Sequence, residues 1–194
     1  MIPASVITIA KTELGYTGKK SNDQLDDKTA NITGKFTKYA RDLYEAGYYN
    51  GDKNGYDWCC VFVDWCFWVA CGRNKELAEK VKPVGDLGAA VLYSYNLLNY
   101  YGRISNTPQV GSQIYYKNTK GQFYHTGLVC AITDTTVETI EGNWNNKVSA
   151  RSINKDSSLI AGYGLPFYDE APTDKKSEIL LQIAKLFEEL AKEF

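Results

Sequence analysis

The run from Tyr56 to Gly72, YDWCCVFVDWCFWVACG, limits the fold of this chain more than any other segment. Its apolar residues recur at steps of three and four, which is typical of an α-helix that packs into a core. Gly72 is a residue type that favours the end of a helix. We therefore predict a core helix over residues 58–71, with one apolar stripe formed by Cys59, Phe62, Val63, Cys66, Phe67 and Ala70.

This helix contains four of the five cysteines, so their chemistry has to be considered. Adjacent cysteines and cysteines on one helix rarely reach disulfide geometry, and the total is odd. A structural zinc site would need a second ligand pair, and the rest of the chain offers only Cys130 and His125. We therefore expect no structural zinc site. Apart from Cys59, the other four cysteines are expected to be small hydrophobic side chains buried in the core. They are Cys60, Cys66, Cys71 and Cys130.

Cys59 differs from the others because of its position at the predicted start of the helix. Asp57 is a good N-cap residue type, which would make Cys59 the second helical residue. A thiol there lies near unpaired backbone N–H groups and the positive end of the helix dipole, which lower its pKa. The same N–H groups can hold an oxyanion. Cys59 is thus a candidate nucleophile, with simple core packing as the alternative.

A base for this thiol could come only from His125, the single histidine of the chain. It lies in FYHTGLVCAIT, a strand-like apolar run, where a packed histidine is the alternative. Farther along, Glu141 and Asn143 in VETIEGNW are two residues apart and would share one face of a strand. One could accept the Nδ1 proton of the imidazole and the other could position the pair. A simple turn at EGN is the alternative.

Composition excludes several classes of function. The net charge of −1 and the pI of about 5.9 give no basic field for nucleic acid and no polybasic patch for a membrane surface. No run of apolar residues is long enough for a membrane span, so no membrane insertion is expected. Lys11 and Glu13 interrupt the N-terminal apolar run, which predicts cytoplasmic synthesis without a signal peptide.

Three motifs in order, WCCVFVDWC, HTGLV and TIEGN, resemble the CHAP family of cysteine, histidine-dependent amidohydrolases/peptidases, in particular the phage-type modules of endolysins for Gram-positive hosts. The resemblance implies Cys59 as nucleophile, His125 as base, and Glu141 and Asn143 as their partners. This sequence departs from the family pattern at Gly111-Ser112, where the family often has Gly-Asp.

The resemblance also implies a fold and an activity. The expected fold is papain-like α+β, with N-terminal helices packed on an antiparallel β-sheet, plus a C-terminal helix. The expected substrate is bacterial cell-wall peptidoglycan, cut at an amide bond without a cofactor after release of the protein from the cell. An N-acetylmuramoyl-L-alanine amidase and a stem or cross-bridge endopeptidase both fit. The alternatives are a wall-remodelling hydrolase of a host or mobile element and a catalytically silent module that binds wall peptides.

Helical patterns precede strand patterns along the chain, which itself favours an α+β fold. Helices are expected at residues 4–14, 35–45, 58–71 and 86–100, and strands at 113–117, 126–133, 136–141, 149–153 and 162–168. Residues 1–168 would form the catalytic domain. Residues 169–194 would form a linker and an amphipathic helix, which either packs on the domain or mediates self-association. Its apolar face contains Ile179, Ile183, Leu186, Phe187, Leu190 and Phe194.

Two details near the cysteine helix are also predicted. Residues Asn50 to Gly55 resemble the first half of a calcium loop, but the twelfth position is Val61 and not Glu. An ordinary turn is therefore the favoured interpretation. Tyr56 could donate to an oxyanion or pack against the domain, and packing is favoured.

Overall fold

The computed structural model describes residues 3–30, 33–85 and 89–170. Within these ranges the chain is α+β, with the five α-helices before all six strands. Five α-helices are described: α1 (Pro3–Thr12), α2 (Lys38–Glu45), α3 (Cys59–Ala70), α4 (Lys75–Val81) and α5 (Val91–Tyr100). Six strands follow: β1 (Ile104–Ser105), β2 (Gln113–Lys117), β3 (Phe123–Ile132), β4 (Thr136–Trp144), β5 (Lys147–Asn154) and β6 (Ile160–Gly164). A short 3₁₀ helix covers Tyr168–Glu170.

The strands form one antiparallel sheet in the order β1-β6-β2-β3-β4-β5. Strands β4 and β5 are joined by a tight hairpin, in which Trp144 pairs with Lys147 across Asn145 and Asn146. Both asparagines have positive φ, 51° and 59°, as a two-residue turn of this hand requires. The turn therefore lies just beyond EGN, and the alternative that placed a simple turn at EGN itself is wrong.

Helix α3 lies between the other helices and the sheet. It contacts α1 and α2 on one side and β3 and β4 on the other. Every residue from Cys59 to Trp68 is buried, so burial includes the predicted apolar stripe up to Phe67 and extends to the other sides of the helix. A helix that is apolar on all sides is buried on all sides, and α3 is the centre of the core.

One charged residue of α3, Asp64, is fully buried with partners. Its carboxylate accepts from Lys82 Nζ at 2.5 Å and from the hydroxyl of Tyr49 at 2.6 Å. Burial raises the pKa of Asp64, although Lys82 and Tyr49 act in the opposite direction. The ion pair ties α3 to the end of α4, where Lys82 is the C-cap.

Several element boundaries differ from the prediction. Helix α2 begins at Lys38 because the side chain of Thr37 accepts from Ala40 N and caps the helix. The last strand ends at Gly164 and not at 168. Beyond it, Tyr168 stacks on Phe67 and donates to the carbonyl of Gly111 at 2.7 Å.

Two short elements, α4 and β1, were not predicted from the sequence patterns. Of the predicted helix over 86–100, the described part begins at Val91, and residues 86–88 lie outside the described residues. So does the C-terminal helix predicted within 169–194. No helix in the described ranges is long and apolar enough to cross a membrane.

Candidate active site

The start of α3 is fixed by Trp58, which precedes Cys59. The indole of Trp58 is fully buried, its ring lies 5.8 Å from that of Tyr39, and its Nε1 donates to Asn146 Oδ1 at 3.4 Å. The helix begins at Cys59 itself, one residue later than predicted. The Cys59 thiol is therefore held in the first helical turn, where backbone N–H groups have no acceptor within the helix.

Asp57 is not the N-cap of this helix, contrary to the prediction. The N-cap is Trp58, and it makes no side-chain capping hydrogen bond. The Asp57 carboxylate instead binds Lys35 Nζ at 2.8 Å and accepts from Asn143 Nδ2 at 2.9 Å. Lys35 foremost holds the pKa of Asp57 below its usual value. Two competing donors thus draw the carboxylate away from the helix end.

The structure brings Cys59 of α3 and His125 of β3 together, and each shifts the pKa of the other. A hydrogen bond from the Cys60 thiol, joined by hydrogen bonding and charge attraction from His125, outweighs burial and lowers the pKa of Cys59 to about 5. Burial alone would lower the pKa of His125, but its hydrogen bonds with Cys59 and Glu141 prevail and raise it to about 9. The pair is therefore set up as thiolate and imidazolium at neutral pH.

Glu141 of β4 lies behind the imidazole and is fully buried. Its Oε2 lies 2.8 Å from His125 Nε2 and accepts from Arg151 Nη1 at 2.7 Å. Its Oε1 accepts from the hydroxyls of Tyr116 at 2.6 Å and Thr139 at 2.7 Å. Burial opposes the negative charge, but these donors hold the pKa of Glu141 below its usual value.

The contact between His125 and Glu141 uses a different ring nitrogen from the one predicted. We expected either Glu141 or Asn143 to accept the Nδ1 proton, whereas Glu141 lies at Nε2. Since the ring has two nitrogens, Nδ1 is the one left for the Cys59 thiol. The carboxylate and the thiol thus occupy opposite sides of the imidazole.

The side chain of Asn143 does not lie on the same face of β4 as that of Glu141. The register of β4 against β5 shifts between Glu141 and Trp144, and Asn143 has a φ of 62°. This bulge breaks the alternation of side chains on which the same-face prediction relied. The amide of Asn143 binds Asp57 at the entrance to α3. In this arrangement Asn143 fixes the loop before the nucleophile.

Two motif glycines that the sequence reasoning did not single out are required by close packing. A Cβ at Gly127, in HTG, would lie 2.4 Å from Glu141 Cγ. A Cβ at Gly142, in EGN, would lie 2.5 Å from Phe62 Cβ and 2.9 Å from a ring carbon of Trp58. All three distances are shorter than real Cβ contacts, so the glycines let β3, β4 and α3 approach each other.

Three aromatic or basic residues around the pair were also not predicted. The guanidinium of Arg151 lies 3.4 Å from the ring centroid of Trp144, whose ring lies 5.4 Å from that of His125. Tyr116 stacks on His125 at 5.7 Å. Arg151 lies on β5, which pairs with β4, whereas Tyr116 lies on β2, which is separated from β4 by β3. Both come close to the site only in the folded sheet, so no local sequence signal could identify them.

The other predicted details have mixed outcomes. Cys60, Cys66 and Cys71 are buried and Cys130 is partly buried, and all five cysteines are free. Tyr56 is 68% exposed, so the expectation that it packs is wrong. In the ranges that the structure describes, no group of three or more His, Cys, Asp or Glu residues could hold a metal ion.

The loop before α3 makes contacts typical of a turn. The side-chain oxygens of Asn50, Asp52 and Asn54 accept hydrogen bonds from Lys53 Nζ, Asn54 N and Thr37 N, respectively. The oxygens that could have served as the first half of a calcium loop therefore already have protein donors.

Comparison with known proteins gives a family match over part of the chain. Residues 51–143, just under half of the chain, match the family model described as CHAP domain, and this match supports a CHAP domain here. The matched segment contains Cys59, His125, Glu141 and Asn143. CHAP domains are typically cysteine- and histidine-dependent amidohydrolases or peptidases that act on peptidoglycan.

The other comparisons add little. No curated protein matches the chain. A solved structure described as "The crystal structure of Ly7917" is similar at 12% identity with a TM-score of 0.47, over 86% of this chain. The chain spans 62% of the length of that structure. At this level the likeness informs neither the fold assignment nor the function.

Proposed function

We propose that this protein is a peptidoglycan hydrolase that cleaves an amide bond by a Cys–His nucleophilic mechanism. The observation that carries the proposal is the chain of contacts from the Cys59 thiol through His125 to the buried carboxylate of Glu141. A lowered thiol pKa, an adjacent imidazole and a third group that fixes the imidazole are what a cysteine nucleophile requires. The match of residues 51–143 to the CHAP domain supports the wall as the substrate.

In the first half of the reaction, the Cys59 thiolate attacks the carbonyl carbon of the amide. The carbonyl oxygen becomes an oxyanion, which unpaired N–H groups at the start of α3, including that of Cys59, would stabilise. The imidazolium of His125 donates its proton to the leaving nitrogen as the C–N bond breaks. The amine departs, and a thioester links Cys59 to the acyl group.

In the second half, neutral His125 accepts a proton from water as the water oxygen attacks the thioester carbonyl. The C–S bond breaks, the carboxylic acid leaves, and the thiolate–imidazolium pair is restored. Glu141 accepts from Nε2 throughout and therefore stabilises the imidazolium while Nδ1 stays directed to the sulfur. Asn143 holds Asp57 and the loop before α3.

Two finer assignments belong to the same proposal. A helix that presents the cysteine to an antiparallel sheet carrying the histidine supports a papain-like arrangement. The resemblance of the three motifs supports a phage or prophage endolysin, acting on the wall after release. An N-acetylmuramoyl-L-alanine amidase and a stem or cross-bridge endopeptidase use the same machinery.

The test is digestion of purified Gram-positive peptidoglycan with the wild type and the Cys59→Ala variant. Cys71→Ala is the matched control, because Cys71 lies at the other end of the same helix and is also buried. We expect fragments from the wild type and the control and none from Cys59→Ala. The fragment masses identify the bond that is cut. Equal digestion by Cys59→Ala would refute the proposed nucleophile.

A further inference from the structure

Arg151 lies next to the site, and the proposed reaction does not use it. Among such groups it makes the most specific contacts. Its Nη1 donates to Glu141 Oε2 at 2.7 Å, the same oxygen that lies 2.8 Å from His125 Nε2. Its guanidinium carbon lies over the ring of Trp144, 3.4 Å from the ring centroid. The Arg151 side chain is 22% exposed, whereas that of Glu141 is fully buried. A planar cation stacked on an aromatic ring is held in one orientation.

The charges of the site show what Arg151 contributes. When the thiolate and the imidazolium form, Cys59 and Glu141 each carry a negative charge and His125 carries one positive charge. Without Arg151 this buried group would have a net negative charge, which is costly in a medium of low dielectric. With Arg151 the four groups sum to zero.

The contact is not needed to pair the strands that it joins. Strands β4 and β5 already pair from Thr136–Asn154 to Glu141–Ser149, and the pairing resumes at Trp144–Lys147. Arg151 itself is opposite Thr139 in this ladder, so its side chain reaches diagonally to the carboxylate. The arginine therefore acts on the charge and position of Glu141.

We propose that Arg151, held on Trp144, is a positioning residue of the active site that fixes the Glu141 carboxylate against His125 and neutralises the buried thiolate–imidazolium state. This inference rests on the proposed function for its catalytic meaning. It predicts that removal of the positive charge makes the thiolate harder to form and the imidazolium harder to deprotonate. Both pKa values then rise together.

Other ionisable groups that face this pair are unchanged in the test variants. In the described ranges they are Cys60 on α3, Tyr116 on β2, Tyr124 on β3, Glu141 on β4 and Asp57 in the loop before α3. Tyr116 and Thr139 still donate to Glu141 when Arg151 is replaced. These two hydroxyls, together with His125, thus keep the Glu141 carboxylate ionised near neutral pH.

The experiment measures both pKa values without any wall substrate. The rate of Cys59 alkylation by iodoacetamide, read by peptide mass spectrometry, gives the thiolate pKa as a function of pH. The imidazole proton signals in NMR give the His125 pKa, and they need no assignment because the chain has one histidine. The full chain is compared as wild type, Arg151→Met and Arg151→Lys. Arg103→Met is the matched control, since Arg103 also stacks on an aromatic ring, that of Phe167, and binds only backbone carbonyls.

We expect both pKa values to rise by about one pH unit in Arg151→Met, because the thiolate loses a nearby opposite charge and the imidazolium loses a nearby like charge. Arg151→Lys should lie closer to the wild type, and Arg103→Met should match the wild type. Unchanged pKa values in a folded Arg151→Met variant would overturn the proposal, and so would a fall in either value. These readouts do not depend on wall digestion, so failure of the proposed hydrolase activity would be seen separately.

Discussion

At the scale of single residues, the site depends on how one carboxylate is surrounded. Glu141 has two donors on each oxygen and lies in the sheet behind His125. A carboxylate with all its strong acceptor positions engaged has one stable orientation. The imidazole that it contacts is therefore fixed in rotation before any substrate binds, which is the condition for efficient proton transfer to a leaving group.

The two pKa values predict the pH range of activity. Below a pH of about 5 the Cys59 thiolate takes up a proton and the nucleophile is lost. Above a pH of about 9 the imidazolium of His125 loses the proton that the leaving amine needs. We expect a bell-shaped profile of kcat/KM between these limits, measured with a soluble wall fragment. A rate that keeps rising above pH 9 would contradict the assignment of His125 as the acid.

Gly127 gives a second prediction at this scale. An alanine Cβ there would lie 2.4 Å from Glu141 Cγ and 3.1 Å from the carbonyl oxygen of Ile140, so the carboxylate has to move. We expect Gly127→Ala to reduce wall hydrolysis at least tenfold and to destabilise the fold by about 1–3 kcal/mol. Urea denaturation and digestion assays measure the two effects. Gly51→Ala is the control, because nothing lies within 4 Å of its added Cβ, and normal activity of Gly127→Ala would disprove the steric argument.

The residues that could be predicted from sequence are those with a local motif. Cys59, His125 and Glu141 stand in recognisable strings, and the fold brings them together. Arg151 reaches Glu141 from the neighbouring strand β5, and Tyr116 reaches it from β2, on the other side of β3. These contacts therefore depend on the sheet and not on local sequence. Asn143 was placed wrongly because a bulge cannot be seen in a two-residue alternation.

At the scale of elements, helix α3 determines how the rest packs. Its burial on all sides requires Asp64 to be paired, and Lys82 at the end of α4 supplies the partner. Helix α4 was absent from the prediction because KELAEKV is short and mostly charged. Its N-cap Asn74, whose side chain accepts from Leu77 N, was the available signal. The strand β2 was predicted with its observed limits since it is short and bounded by turn residues on both sides.

The buried pair of Asp64 and Lys82 predicts a large effect of a single substitution. Lys82→Met leaves a fully buried carboxylate with only the Tyr49 hydroxyl, which typically costs about 3–5 kcal/mol when a buried pair is broken. Urea denaturation measures the loss. Lys80→Met in α4 is the control, because the Lys80–Glu76 pair is exposed and its loss should change the unfolding free energy far less. Equal effects of the two substitutions would show that the buried pair has no special role.

At the scale of the whole molecule, the described residues form the α+β fold that the order of sequence patterns indicated. The five α-helices precede all six strands, and the sheet is antiparallel throughout. The division into a catalytic domain over 1–168 and an appended segment over 169–194 stays a prediction. The CHAP match at 51–143 lies entirely within the first of these units.

The appended segment carries the last prediction, which concerns association of the full chain. The pattern of residues 177–194, SEILLQIAKLFEELAKEF, places apolar side chains on one face of a helix, where a second copy can bury them. If this face mediates self-association, the substitutions Leu186→Lys and Leu190→Lys would place charges in the apolar contact and shift the full chain to monomers. Sedimentation equilibrium over a range of concentrations measures this. Glu188→Lys introduces a lysine on the opposite face and should leave association unchanged. A wild-type chain that stays monomeric at all concentrations would exclude self-association and favour packing of the segment on its own domain.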